Sequence, residues 1–220
     1  MLILLPVFQE VPHMLERGFY TVVTPDRFDD LRRMVKSLRR FSQNPVQVCV
    51  VHDFVEAHRM KAWAGAMSPF KATIMLDTDM YVNGCLAHLF RAAEGGKICA
   101  YYEEGPQVWN TGMLAFNQEL GFKLAYEWGN LFDQRVSEVG RSKAAQQWEF
   151  YDQYSFNQIV RNARWRVLMF KQEDKFNYIL KLHSPEQEAS YFDSIKVFHF
   201  LHDGVAKLEE YRSYKEWLEL

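Results

Sequence analysis

Two carboxylates lie two residues apart at Asp77 and Asp79, directly after the apolar run Thr73–Leu76. Because alternate residues of a strand point to the same side, both carboxylates can converge on one object at the rim of a sheet. Two hard oxygen ligands suit Mg²⁺ or Mn²⁺, and such an ion keeps coordination positions open for phosphate oxygens. The pattern therefore indicates transfer from a diphosphate-activated donor, although an Asp-x-Asp pair alone is a weak signal.

Two histidines near the end of the chain are further candidate metal ligands. His199 and His202 follow the apolar segment that begins at Ile195, and they precede Asp203-Gly204. We expect at least one of them to complete the coordination, and the sequence leaves open which one. An imidazole in an otherwise oxygen shell favours Mn²⁺ over Mg²⁺.

Apolar runs and helical spacings predict strands that alternate with helices. The predicted strands are Phe19–Thr24, Val46–Val51, Thr73–Leu76, Ile98–Tyr102, Met113–Phe116, Arg166–Phe170 and Ile195–Phe200, and the predicted helices are Asp29–Phe41, Val55–Met67, Leu86–Ala93, Gln118–Val139, Ser155–Arg161 and Leu208–Leu218. This alternation implies right-handed crossovers and a mostly parallel sheet flanked by helices. Ligands of open α/β sheets bind at the carboxyl ends of strands, where Thr24, Asp77 and Asp79 fall. No repeat or linker interrupts the pattern, so we predict one α/β domain over residues 1–220.

Composition narrows the class of partner. The chain has 220 residues, of which 48% are hydrophobic, and its 26 basic and 28 acidic residues give a net charge of −2. This balance offers no electrostatic reason to expect nucleic acid or an anionic membrane as a partner. The three cysteines lack metal-site spacing, which fits a reducing, cytoplasmic location. The apolar start Met1–Phe8 is interrupted by Pro6 and lacks a basic region, so it is a poor signal peptide, and no other stretch approaches a membrane span.

Several blocks, taken in order, resemble the nucleotide-diphospho-sugar transferases of the GT-A fold. The resemblance is closest to the glycogenin-like and galactosyltransferase-like enzymes of glycosyltransferase family eight, and it runs from Gly18 to about Lys207. The blocks are the opening strand and turn Tyr20–Phe28, the segment Ser68–Asp79 that ends in the DxD motif, Trp109–Met113, Asp152-Gln153 with Asn157, Phe176–Tyr178, and His199-Phe200 through Gly204 and Lys207. Each block alone is weak, whereas five or six in order are a strong signal.

Two features depart from the family pattern. Phe176 stands where tryptophan is usual. The family places a glycine three and a lysine six residues after its histidine, whereas Gly204 and Lys207 lie five and eight residues after His199, or two and five after His202.

The resemblance implies a role for each matching residue. Asp77 would contact the ribose and the metal, and Asp79 would hold the metal that bridges the diphosphate. Asp152 would hold sugar hydroxyls, and Gln153 would lie beneath the anomeric carbon, where an amide gives electrostatic support because it is a poor nucleophile. Without the resemblance, Asp152 and Gln153 would indicate only a capped helix start with a surface glutamine. Asn110, Thr111 and Gly112 would contact the sugar. The residues implied in binding the nucleotide are Thr24 and Asp26, at the base and ribose, and Lys71 and Lys207, at the phosphates. Thr78 and Gly204 are also implied in substrate binding.

Together these features predict a metal-dependent glycosyltransferase. It would move a hexose from a nucleoside diphosphate sugar, expected to be a uridine diphosphate hexose, to a carbohydrate or other acceptor hydroxyl, and the resemblance implies retention of anomeric configuration. One alternative is a sugar-nucleotide-binding protein of the same fold with little or no turnover, which the irregular segment 199–207 supports. The other is a haloacid-dehalogenase-type phosphatase, suggested by Leu76-Asp77-Thr78-Asp79. That class needs its acidic strand to come first in the sheet and a second acidic pair at the end of a later strand. Here two predicted strands precede Asp77, and no such later pair is visible.

Overall fold

The computed structural model describes residues 14–103, 107–140, 143, 152–161, 165, 167–170, 178–179 and 196–200. Within them the strands are β1 Leu15–Val23, β2 Val46–Val50, β3 Phe70–Leu76, β4 Met80–Val82, β5 Ile98–Glu103, β6 Val108–Asn117, β7 Val167–Phe170, β8 Tyr178–Ile179 and β9 Val197–His199. The helices are α1 Phe28–Arg39, α2 Phe54–Ala62, α3 Ala64–Met67, α4 Ala87–Glu94, α5 Gln118–Val139 and α6 Asp152–Val160, and a 3₁₀ turn covers Pro25–Arg27. The predicted closing helix Leu208–Leu218 lies outside the described residues.

Six strands form the main sheet in the order β2-β1-β3-β6-β5-β7. The pairings β1–β2, β1–β3 and β5–β7 are parallel, whereas β6 lies antiparallel between β3 and β5. The predicted α/β fold with a mostly parallel sheet is therefore confirmed. The antiparallel strand arises because only four residues separate Glu103 from Val108, which suffices for a hairpin but not for a crossover.

Helices cover both faces of this sheet. Alternate residues of β3 enter two different core clusters: Ile74 and Leu76 pack with residues of α1 and α4, and Met75 packs with residues of α2, α5 and α6. A strand that is buried on both faces has apolar side chains at nearly every position, which explains the continuous apolar run before Asp77. That the chain forms one domain over residues 1–220 stays a prediction.

A smaller sheet of three strands, in the order β4-β9-β8, was not expected as a unit. Strand β4 begins directly after Asp79 and pairs antiparallel with β9, so that Met80 lies opposite His199. This pairing brings the end of β9 to the end of β3, although 119 residues lie between Asp79 and His199 in the sequence. None of the helices within the described ranges combines the length and the apolarity that crossing a bilayer requires.

Candidate active site

Three potential metal ligands converge where β3, β4 and β9 meet. Asp77 is the first residue after β3, Asp79 immediately precedes β4, and His199 is the last residue of β9. His199 Nε2 lies 3.3 Å from Asp79 Oδ1 and 3.9 Å from Asp77 Oδ2, and one ligand atom from each of the three side chains lies within 4.8 Å of the others. The structure therefore brings together three of the four metal ligands that the sequence predicted.

Backbone hydrogen bonds fix this convergence. The amide of Asp77 donates to the carbonyl of Gly112 at 2.8 Å, and the amide of Phe200 donates to the carbonyl of Asp79 at 3.0 Å. A Cβ atom at Gly112 would overlap the ring of His199 and lie 2.8 Å from Met80 Cε. Gly112 therefore makes room for the histidine, a role that its predicted place in the sugar-binding block did not anticipate.

The donor set of this cluster fits a divalent cation. Octahedral ions of the Mg²⁺ and Mn²⁺ type hold oxygen or nitrogen ligands at about 2.1 Å, which places neighbouring ligand atoms about 3 Å apart. The separation of 3.3 Å between His199 Nε2 and Asp79 Oδ1 is close to this value. Two carboxylates supply negative charge, and the imidazole adds the softer ligand that favours Mn²⁺.

The protonation of the three groups agrees with a site built for positive charge. Burial acts to lower the pKa of His199, but Asp79 and Asp77 outweigh it and raise that pKa above its ordinary 6.5. Burial acts to raise the pKa of Asp79, but His199 and then Lys61 outweigh it and lower that pKa to about 2. Burial raises the pKa of Asp77; Lys61 offsets part of this effect, and the neighbouring charge of Asp79 adds to it. Without a metal, the two aspartates therefore favour the protonated form of His199.

Lys61 is a central residue that the sequence did not single out. Its Nζ lies 2.9 Å from Asp77 Oδ1 and 3.2 Å from Asp152 Oδ2, and only 12% of its side chain is exposed. Burial acts to lower the pKa of Lys61, but Asp152 and Asp77 outweigh it and raise that pKa, so the ammonium stays charged. Lys61 thus joins the metal cluster to the start of α6.

Helix α2 places a stripe of side chains in the site. Asp53 caps this helix by accepting a hydrogen bond from the amide of Glu56 at 2.9 Å, which fixes where the helix begins. Phe54, His58 and Lys61 follow at intervals of four and three residues, so they share one face of α2. This spacing is the feature of the sequence that could have identified the three side chains as one group, whereas only a helix is predicted for the segment.

Asp152 opens α6, and its carboxylate faces α2. His58 Nδ1 forms a hydrogen bond to Asp152 Oδ1, and Lys61 lies beside the other oxygen. Burial acts to raise the pKa of Asp152, but Lys61 and His58 outweigh it and lower that pKa well below its usual range. The carboxylate is therefore ionised and held between two nitrogen donors.

The two predicted sugar-binding blocks form one unit. Asn157 of α6 holds Trp109 of β6 through both of its amide atoms: its Oδ1 accepts from the Trp109 amide at 2.7 Å, and its Nδ2 donates to the Trp109 carbonyl at 2.8 Å. Gln153 Oε1 lies 3.4 Å from the amide nitrogen of Thr111, which donates to it. The side chain of Asn110 already forms two hydrogen bonds within the sheet. Its Nδ2 donates to Glu103 of β5, and its Oδ1 accepts from the Gly112 amide of β6.

Two cavities meet at the acidic cluster. The larger has a volume of about 550 Å³, and its walls include Asn110, Thr111, Gly112, Asp152, Gln153 and His199. The smaller has a volume of about 330 Å³, and its walls include Thr24, Asp26, Phe54 and Thr78. His58, Asp77 and Asp79 line both. The predicted nucleotide residues and the predicted sugar residues therefore lie on opposite sides of the carboxylates.

The structure does not bring every predicted residue to this place. Lys71 lies at the start of β3, about 20 Å along the strand from Asp77, and its Nζ pairs with Glu16 at 2.6 Å. His202, Gly204 and Lys207 lie outside the described residues, so their predicted roles stay predictions.

Comparisons with known proteins find matches among solved structures but none by family profile or among curated proteins. No protein-family profile matches the chain, and no curated protein matches it. A solved glycosyltransferase involved in the glycosylation of the major capsid of PBCV-1 matches with a TM-score of 0.62 at 12% identity, over 90% of this chain and 99% of that one. The apo form of mouse xyloside xylosyltransferase 1 matches with a TM-score of 0.51 at 12% identity, over 86% and 99%.

The glycosyltransferase GlyE of Streptococcus pneumoniae is a third match, with a TM-score of 0.56 at 15% identity, over 86% of this chain and 55% of that one. The present chain thus spans about half the length of GlyE. At these identities the likeness is one of fold. The predicted GT-A-type fold is confirmed as the fold that this chain shares with solved glycosyltransferases, and membership of family eight stays a prediction.

Proposed function

We propose that this protein is a metal-dependent glycosyltransferase that moves a hexose from a nucleoside diphosphate sugar to an acceptor hydroxyl. The observation that carries the proposal is the convergence of Asp77, Asp79 and His199 between two cavities. A nucleoside diphosphate sugar has the matching layout, because its diphosphate joins a nucleoside to a sugar. The GT-A-type fold supports the same class of reaction.

The smaller cavity would take the nucleoside. Thr24 and Asp26 lie on its wall, and a hydrogen bond from Thr24 is the main cause that lowers the pKa of Asp26. An ionised carboxylate at the rim can accept hydrogen bonds from ribose hydroxyls or from a base. Thr78 and Asp77 continue this wall toward the diphosphate.

A divalent cation held by Asp77, Asp79 and His199 would neutralise the negative charge that builds on the leaving nucleoside diphosphate. Mn²⁺ is the favoured ion because the ligands include an imidazole. Lys61, the neighbouring cation of the chain itself, helps to keep the carboxylate of Asp152 ionised and offsets part of the effect of burial on the pKa of Asp77.

The larger cavity would take the sugar and admit the acceptor. Asp152 would hold sugar hydroxyls with its fixed carboxylate, and Thr111 and Gln153 line the same wall. As the bond from the anomeric carbon to the diphosphate breaks and the bond to the acceptor oxygen forms, positive charge develops on the sugar. The amide oxygen of Gln153 would stabilise that charge, which would fit a reaction with retention of configuration without a covalent intermediate at this residue.

A donor screen with a matched inactive variant tests the proposal. The wild-type chain and Asp79→Asn are compared by thermal shift with nucleoside diphosphate sugars, with and without Mn²⁺, and stability should rise by about 3 kcal/mol at 100 times the dissociation constant. The donor that stabilises the wild type is then assayed for Mn²⁺-dependent release of the nucleoside diphosphate. Binding without any release, with or without acceptors, would favour the sugar-nucleotide-binding alternative. No stabilisation by any donor would contradict the proposal.

A further inference from the structure

We propose that His58 is a positioning residue that sets the orientation of the Asp152 carboxylate toward the donor sugar; this inference rests on the proposed function. His58 Nδ1 is hydrogen-bonded to Asp152 Oδ1. The side chains are 13% and 3% exposed, so water competes little for this contact. Since Asp152 is ionised, the ring nitrogen is the donor and the carboxylate oxygen is the acceptor.

The carbonyl of Asp152 is held independently of His58, although the Asp152 amide nitrogen lies 3.4 Å from His58 Nδ1. Trp128 Nε1 donates to the Asp152 carbonyl at 2.9 Å and to Ser155 Oγ at 3.0 Å, deep in the core. The remaining freedom of Asp152 is the rotation of its carboxylate, and the terminal torsion of an aspartate is soft. His58 on one oxygen, Lys61 on the other and the side chain of Thr111 restrain that rotation, and His58 lies closer to the carboxylate than Lys61 does.

The ring of His58 is itself held in place by its own helix. Phe54, one turn earlier on α2, packs its ring against the imidazole with centroids 4.2 Å apart and planes at 76°. His58 also lines both cavities, at the boundary between the nucleoside side and the sugar side. A donor that fills both cavities would therefore pass His58, the residue that holds the carboxylate of Asp152.

Loss of His58 would leave the Asp152 carboxylate with Lys61 and the side chain of Thr111. The carboxylate would then rotate toward the ammonium, and the oxygen that faces the sugar would move. A hydrogen bond between a neutral donor and a charged group contributes about 1.5–3 kcal/mol, which corresponds to about a 10- to 100-fold loss in kcat/KM for the donor. The Mn²⁺ affinity should not change, because the hydrogen bond that is lost goes to Asp152, which is not one of the three proposed metal ligands.

Three variants test this assignment. His58→Ala removes the donor atom, and His58→Asn places an amide nitrogen close to the position of Nδ1, so it restores a hydrogen bond to Asp152. His88→Ala, on α4 and away from both cavities, is the matched control. For each variant, kcat and KM for the donor, the Mn²⁺ affinity and the melting temperature are measured.

We expect His58→Ala to lose about 10- to 100-fold in kcat/KM at unchanged Mn²⁺ affinity, and His58→Asn to recover most of that loss. His88→Ala should match the wild type. Wild-type kinetics for His58→Ala, or an equal loss for His58→Asn and His58→Ala, would overturn the assignment. If His58→Ala unfolds, a folded His58→Asn that itself loses about 10- to 100-fold in kcat/KM would overturn it. A wild-type chain without turnover would instead overturn the proposed function, and the assignment with it.

Discussion

Removal of the buried cation Lys61 should destabilise the protein far more than removal of an exposed lysine. Lys61→Met keeps the length of the side chain but leaves Asp77 and Asp152 without the ammonium that lies 2.9 Å and 3.2 Å from their oxygens. Loss of one partner from a buried ion pair costs about 3–5 kcal/mol, because an uncompensated charge is left behind. In a chain of 220 residues this corresponds to a fall in melting temperature of about 6–20 °C.

The assay is thermal denaturation in the presence of a chelator, so that no divalent cation replaces the lost charge. Lys71→Met is the matched control, since Lys71 pairs with Glu16 at 2.6 Å but both side chains are more than half exposed. An exposed pair contributes about 0–1 kcal/mol, so this variant should melt close to the wild type. If Lys61→Met and Lys71→Met shifted the melting temperature equally, Lys61 would not be the buried counter-ion of the two aspartates.

Four further predictions concern the metal and the chemistry. Asp79→Asn should keep the fold and abolish Mn²⁺-dependent nucleotide binding, because the amide keeps the shape but lacks the charge; undiminished affinity in calorimetry would contradict the metal assignment. His199→Ala should weaken Mn²⁺ binding more than His202→Ala, and the reverse order would move the ligand to His202. Because the pKa of His199 is raised and a metal needs the neutral ring, wild-type Mn²⁺ affinity should rise with pH above about 6.5 and the rise should flatten in His199→Ala. Gln153→Ala should lower kcat more than it changes donor affinity, whereas Asp152→Ala should change both, as steady-state kinetics would show; a wild-type kcat for Gln153→Ala would remove its assigned role.

The order of strands and helices was predictable because local patterns determine it. The long amphipathic helix 118–139 was predicted with its observed ends, since Asn117 supplies a cap and Gly140, at φ 82°, ends the helix in a conformation that suits glycine. The position of the Asp-x-Asp pair was predictable for a similar reason. A strand covered by helices on both faces is recognisable from its apolar run alone, and its end is where that run stops.

Contacts between distant segments were not predictable in the same way. Strand β4 has only three residues and no pattern of its own, and it exists because β9 pairs with it. The sequence singled out Lys71, six residues before Asp77, whereas Lys61, sixteen residues before it, lies in the site. An extended strand separates near neighbours by about 3.3 Å per residue, but a helix that folds back onto the sheet returns a more distant residue to the strand end.

The charges of the site explain why a divalent cation suits it better than a proton does. Among the described residues, the carboxylates of Asp77, Asp79 and Asp152 lie close together, and Lys61 is the cation that pairs with two of them. With a proton on His199 the sum of these charges is still −1, and a diphosphate brought to such a site would be repelled. A divalent ion in place of that proton would bring the sum to zero while keeping open positions for phosphate oxygens. Lys61 satisfies Asp152 and one side of Asp77, so the carboxylates left facing the cavities are those nearest His199. Under the proposed function, the metal would therefore lie at the end of β3, and the carboxylate of Asp152 would remain for the sugar.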